Sequence, residues 1–157
     1  MNDDFDTFID NLQEEIFDEA KKALGEAGFQ RWRNPEYNGP LQNYDARAHV
    51  KGECGDTMEI FLKFDKNRIK SASYVTDGCA SSSICGSFAA EMAMGKNPDE
   101  LTEITGEAVL KKIGSFPEDD KHCAFLAAKA LQEALQSYMS HETKRYQEHF
   151  KKTGREK

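Results

Sequence analysis

The sequence predicts an α+β fold, a small three-stranded antiparallel sheet with helices packed mainly on one face. Three observations predict it. Residues 57–65 alternate, with Met58, Ile60, Leu62 and Phe64 on one side. Residues 68–76 come after only Asp65-Lys66-Asn67, and strands joined this tightly must run antiparallel. After Gly78 the apolar period lengthens to three and four, so the rest of the chain reads as helices. A run of strands followed by a run of helices is the α+β pattern, and it leaves the other face of the sheet partly open.

Residues 4–24 come first and read as an amphipathic helix with a packing face of Phe5, Phe8, Ile9, Leu12, Ile16, Ala20 and Leu24. Asp3 or Asp4 can cap it, and Gly25 or Gly28 can end it. Residues 33–45 are turn-rich, because Pro35, Gly39 and Pro40 forbid a continuous helix or central strand. Residues 46–52 form a first strand, before those at 57–65 and 68–76. A helix over about 80–95 has Ile84, Phe88 and Met92 on one stripe. Asn97-Pro98-Asp99-Glu100 is a cap, a first-turn proline and acidic first-turn residues, and it starts a short helix. Thr105 caps another that ends near Gly114. A long helix runs from about Lys121 to Met139, with Ala124, Ala127, Leu131, Leu135 and Tyr138 on one face. Residues 140–157 are highly charged and continue that helix or fray. The chain is one domain: an N-terminal helix (1–28), a core (29–139) and a charged extension (140–157).

A chain of 157 residues buries a core without disulfide staples. A net charge of −7 argues against phosphate-backbone binding, hence against nucleic acid as a partner. No apolar run approaches the roughly 20 residues of a membrane span. The acidic start MNDDFDTFID lacks an apolar signal core, which reads as a mature cytoplasmic chain.

The chemistry lies in four cysteines, Cys54, Cys79, Cys85 and Cys123, with no C-x-x-C pair. In a reducing compartment such thiols are free, metal-bound or catalytic. Cys54 falls in the loop between the first two strands, Cys79 just before a helix, and Cys123 in the first turn of the long helix. The positive end of a helix favours a thiolate, which is the form that binds metal or attacks sulfur. Asp56 and His122 stand beside Cys54 and Cys123 and add two more candidate ligands. Soft sulfur donors suit zinc, copper(I) or an iron–sulfur cluster. Singly, each residue has a plainer reading: a buried cysteine as a small hydrophobe, Asp56 as a turn former, His122 as a surface residue at a helix start. Cys85, mid-helix after Ile84, reads as core. Ser81-Ser82-Ser83 reads as helix-start capping rather than a phosphate nest.

Taken together, GECGD, DGCASSS and KHCAFLA resemble the three cysteine motifs of the U-type iron–sulfur cluster assembly scaffolds, the IscU/NifU N-domain family. The cysteines stand in the same order, 25 and 44 positions apart. NPEYNGPL resembles the family's asparagine-proline segment before the first strand. The likeness spans about residues 29–137. It implies a SufE/NifU-like fold and a scaffold, not a turnover enzyme. On that scaffold a [2Fe–2S] cluster is built from iron and desulfurase-derived sulfur and handed to apo-proteins. It carries over Cys54, Cys79 and Cys123 as ligands, with Asp56 and His122 able to complete coordination, and Cys123 as a carrier of persulfide. It implies a cysteine desulfurase, an iron donor and apo-acceptors such as ferredoxin as partners, and zinc in the protein as purified. Phe116-Pro117-Glu118-Asp119-Asp120 departs from the Leu-Pro-Pro-Val-Lys segment of bacterial members, which argues against an Hsp70-type chaperone docking there.

Two other functions compete. One is a zinc-bound sulfurtransferase of the SufU type, taking persulfide from a desulfurase. Those relatives carry an insertion between the second and third motifs and lack the histidine before the last cysteine, whereas this chain has His122 and no evident insertion. The other is a plain zinc-stabilised binding module, which would favour four strong ligands in paired spacing.

Overall fold

Strands β1 (Ala46–Lys51), β2 (Thr57–Asp65) and β3 (Arg68–Thr76) form one antiparallel sheet in sequence order in the computed structural model, which describes residues 2–154. The register pairs Ala48 with Ile60 and Ile60 with Tyr74. Lys66 and Asn67 both take positive φ, 50° and 63°, closing the two-residue hairpin that the short gap requires. Met58, Ile60 and Leu62 are fully buried on one face, as their alternation predicts. Phe64 is only half-buried, because the register shifts between Lys63 and Phe64. Its ring stacks on Tyr138 at 3.7 Å. On the outer face Phe61 is covered by Tyr44, ring centroids 5.4 Å apart, while Arg47 pairs with Glu59 at 3.1 Å.

The turn-rich segment adds one parallel bridge to the sheet, Asn38 to Tyr74. Tyr37 holds positive φ there, and its carbonyl accepts from the Tyr74 N–H at 2.9 Å.

Around the sheet lie α1 (Asn2–Arg33), α2 (Ala80–Ala93), α3 (Pro98–Leu101), α4 (Gly106–Ile113) and α5 (His122–Thr153), with a 3-10 turn at Glu118–Asp120. Helices α2 and α5 cover the apolar face of the sheet. Both are rich in buried alanine (Ala89, Ala90, Ala93, Ala124, Ala127, Ala130, Ala134), which lets the helices approach the sheet and each other closely. Asn97 starts α3 with a complete capping box against Glu100, and Thr105 caps α4 through the Ala108 N–H. No helix is long and apolar enough to cross a membrane among the described residues.

Helix α1 departs from expectation twice. Gly25 breaks it, at φ 75° and ψ 168°, but residues 26–33 resume the helix beyond the break. The new segment is clamped to α2 by the mostly buried Arg31, which donates to Ser87 at 2.9 Å and Glu91 at 2.8 Å. Arg31 also lies 4.0 Å above the Phe88 ring. The second departure concerns the predicted packing face. Phe17, Ala20 and Leu24 do pack, but Phe5, Phe8, Ile9, Leu12 and Ile16 are exposed, Phe5 to 64% and Phe8 to 61%. The first four turns project past the body, and among the described residues nothing covers their apolar stripe. Toward the other terminus α5 continues well beyond Met139, as far as Thr153.

Candidate metal centre

Three chain reversals bring the sequence motifs to one end of the sheet. The β1–β2 connection turns through Gly52–Asp56, with the Gly52 N–H donating to the Asp56 carbonyl at 2.7 Å. Gly55, at φ 92°, supplies the left-handed conformation the turn needs. Cys54 sits exposed on this loop. At the end of β3, Gly78 lets the chain pass close to α2. A Cβ there would lie 2.5 Å from Ser82 Oγ and 2.7 Å from Asp56 Oδ2. Cys79 then stands at the residue before α2, also exposed and with no capping bond from its side chain. The third reversal runs through the 3-10 turn into α5, whose second residue is Cys123.

Cys123 is 1% exposed and lies at the centre of a small polar network. Ser82 Oγ is 3.4 Å from its sulfur and 3.1 Å from Asp56 Oδ2. A hydroxyl has one proton, so Ser82 donates to the carboxylate or to the sulfur at any moment. His122 Nε2 is 3.6 Å from the same sulfur. The other ring nitrogen, Nδ1, meets the Asp119 carbonyl at 2.9 Å. A carbonyl only accepts, so Nδ1 carries a proton, and in the neutral ring it is Nε2 that presents its lone pair to the sulfur. Asp56 and His122 therefore flank Cys123, one through Ser82 and the other directly. Among the described residues, no three His, Cys, Asp or Glu side chains are gathered closely enough to hold one metal ion.

The electrostatics of Cys123 correct one expectation. Its place in the first turn of α5 suggests a lowered thiol. Burial instead pushes it up to about 11, the hydrogen bond from Ser82 working against that and the nearby Cys79, Asp120 and Cys54 adding to it. Desolvation outweighs the helix terminus because the sulfur is covered. Cys85 is fully buried in the core, as its mid-helix position predicts, and burial raises its thiol too.

The serine run is a second correction. None of the three hydroxyls caps α2. Ser81 donates to Asp120 at 2.7 Å, Ser82 serves Asp56 and Cys123, and Ser83 shares a 2.7 Å bond with the Tyr74 hydroxyl. Each ties α2 to a different element. The signal was available: three hydroxyls at successive helical positions point in three directions, so they cannot all cap one terminus. Asp120 and Asp77 also belong to the site, although no motif marks them. Asp77 accepts from the Thr57 N–H at 2.6 Å, which holds its carboxyl below the usual range and pins β2 beside the cysteine loop. An open groove of about 590 Å³ beside Cys54 and His122 is lined also by Lys51, Glu53, Phe125 and Lys129 among others.

Residues 25–145 match the sequence model of the NifU-like N-terminal domain. The chain is 38% identical over 111 residues to iron–sulfur cluster assembly scaffold protein IscU 1 of Archaeoglobus fulgidus, covering 70% of this chain and 72% of that protein. It is 31% identical over 114 residues to the iron–sulfur cluster assembly enzyme IscU of Drosophila melanogaster, covering 69% and 73%. In fold it resembles the crystal structure of a NifU-like N-terminal protein from Brucella abortus, at a TM-score of 0.59 and 21% identity over 74% of this chain and 94% of that one. With three cysteine motifs at one end of an antiparallel sheet and a family match over most of its length, the chain belongs to the NifU-like N-terminal domain family.

Proposed function

We propose that this protein is a scaffold for iron–sulfur cluster assembly, on which iron and sulfide are joined and from which the product is passed to apo-proteins. The observation that carries this reading is the setting of Cys123. One sulfur has a carboxylate within reach through Ser82 and an imidazole lone pair beside it, with Cys54 and Cys79 exposed at the same end. Four thiolates hold a cluster firmly for electron transfer. Three thiolates with an exchangeable oxygen or nitrogen donor hold it less firmly, which a donor of clusters requires.

In this reading the cargo is a [2Fe–2S] cluster and Cys54, Cys79 and Cys123 are its thiolate ligands. Asp56 and His122 alternate as the remaining donor. Cys123, once deprotonated, attacks the outer sulfur of a desulfurase persulfide. The new S–S bond forms on Cys123 as the old one breaks, and the desulfurase cysteine leaves as thiolate. His122, whose Nε2 lies 3.6 Å from the sulfur, is the base that accepts the Cys123 proton. The partners are a cysteine desulfurase, an iron donor and apo-acceptors, and zinc occupies the same donors in protein purified without iron. The 3-10 turn at Glu118–Asp120 is committed to bracing the site through Asp119 and Asp120, which argues against a chaperone reading it as a free segment.

The test is anaerobic reconstitution with iron, cysteine and a desulfurase, then addition of apo-ferredoxin, with visible absorption and circular dichroism as readouts. A cluster forms on this chain and moves to ferredoxin. Bound zinc with no cluster, together with faster desulfurase turnover, would replace the scaffold by the SufU-type sulfurtransferase. Within the same assay, Asp56→Ala slows transfer to ferredoxin about tenfold by removing the exchangeable donor. An unchanged transfer rate would remove Asp56 from the release step.

A further inference from the structure

Two helical arms leave the body of this protein, and both leave it at the end remote from the thiols. Residues 26–33 run alongside α2 in the same direction. Gly28 lies near Ile84, and Arg31 bonds Ser87 and Glu91 further along. Residues before Gly25 double back, because Phe17 packs on Phe29 at 6.0 Å and lies under the Arg33 guanidinium at 4.5 Å. Residues 2–16 therefore extend past Arg33, at the end where α2 finishes rather than where Cys79 begins it. Helix α5 starts at the thiols and reaches the β2–β3 turn where Tyr138 stacks on Phe64. Its remainder, from Met139 on, extends past that same end.

The arms match in three respects. Each bears an exposed apolar stripe at helical spacing: Phe5, Phe8, Ile9, Leu12 and Ile16 on one, Met139, Tyr146 and Phe150 on the other, the last two 72% and 68% exposed. The stripes are equally long, each running roughly 17 Å along its helix from first to last residue. Their charges are opposite. Residues 2–24 hold eight carboxylates and two lysines, whereas residues 140–157 hold six lysines and arginines against three glutamates. Apolar seams of this spacing flanked by complementary charge are what pair helices in coiled coils.

We propose that these arms pair between two copies of the chain, the acidic N-terminal arm of each lying on the basic C-terminal arm of the other. The pairing is reciprocal, so it closes as a two-fold dimer and leaves no stripe uncovered. It joins the copies at their remote ends, so both thiol sites face outward and stay open to partners.

Sedimentation of the full chain over about 1–100 μM tests it. The expected species is a reversible dimer of twice the 17.7 kDa chain mass. Its dissociation constant rises about tenfold between about 50 and 500 mM salt, as charge pairing is screened. Phe8→Asp with Leu12→Asp, and separately Tyr146→Asp with Phe150→Asp, each return a monomer that melts with the parent chain diluted to its own monomer, since these side chains touch no core. Lys144→Glu with Lys151→Glu weakens the dimer, and adding Asp10→Lys with Glu14→Lys restores it. A monomer at every concentration overturns the proposal. So does a dimer that loses its affinity with the N-terminal variant but keeps it with both C-terminal ones, because then the acidic arms pair with each other.

Discussion

At pH 7 the Cys123 thiol keeps its proton, because burial lifts it to about 11 while Cys54 and Cys79 stand in solvent. Iodoacetamide at about pH 8 therefore labels Cys54 and Cys79 first, and Cys123 and Cys85 at least about tenfold more slowly, read by peptide mass spectrometry. The same shift links to stability. The thiol rises above its ordinary value of 9.0, so the unfolded chain loses this proton first. The stabilisation is fully present below about pH 9 and is lost as pH climbs toward about 11. The urea midpoint falls across that window, and less steeply in Cys123→Ser. Gly78 is the second residue on which the network depends. Gly78→Ala drives a Cβ against Ser82 and Asp56, parts their hydrogen bond, and costs about 1–3 kcal/mol in urea unfolding. Nothing in DGCASSS marks Gly78 as the point where two distant loops touch. Only its neighbours in space, Asp56 and Ser82, make a side chain intolerable there.

At the scale of elements, the break at Gly25 decides the course of α1. Its φ of 75° with ψ of 168° belongs to a region that side chains avoid, and a Cβ would meet the Ser115 carbonyl oxygen at 2.5 Å. Gly25→Ala destabilises the fold by about 1–3 kcal/mol, seen as a lower thermal midpoint. It also loosens the Phe17 contact with Phe29, seen as a change in near-ultraviolet circular dichroism from Trp32, 6.0 Å from Phe29. Gly25 was visible in the sequence as a helix terminator. The helix beyond it was not visible, because GEAGFQRWR has too short an apolar pattern to announce one; Arg31 on Ser87, Glu91 and Phe88 makes it helical. The strands and α2–α4 were more legible, since their caps, hairpin residues and period-two alternation act locally.

At the scale of the whole molecule, the thiol site and the two arms occupy opposite ends. At a concentration low enough to keep the full chain monomeric, deleting residues 1–16 changes the melting temperature by no more than about 2 °C, because the apolar side chains removed are exposed and touch no core. Cluster formation in the truncated chain proceeds at the rate of the full chain, because the deletion lies at the far end of the sheet from Cys54, Cys79 and Cys123. A large loss of stability on truncation would show that the acidic arm folds back onto its own body.

The sequence by itself determined the three strands and the antiparallel pairing of the second with the third, the helix boundaries set by caps, and the three cysteine motifs with Asp56 and His122 beside them. Those arise from interactions within a few residues: alternation, capping and turn chemistry. Only the tertiary structure decided which stripes are core and which are bare, since Phe5 and Ile84 both sit in stripes of three- and four-residue spacing. It also decided that Ser82 is the link between Asp56 and Cys123, and that the Cys123 thiol is raised rather than lowered. Burial and long-range hydrogen bonding are properties of what packs from elsewhere in the chain, and no local pattern encodes them.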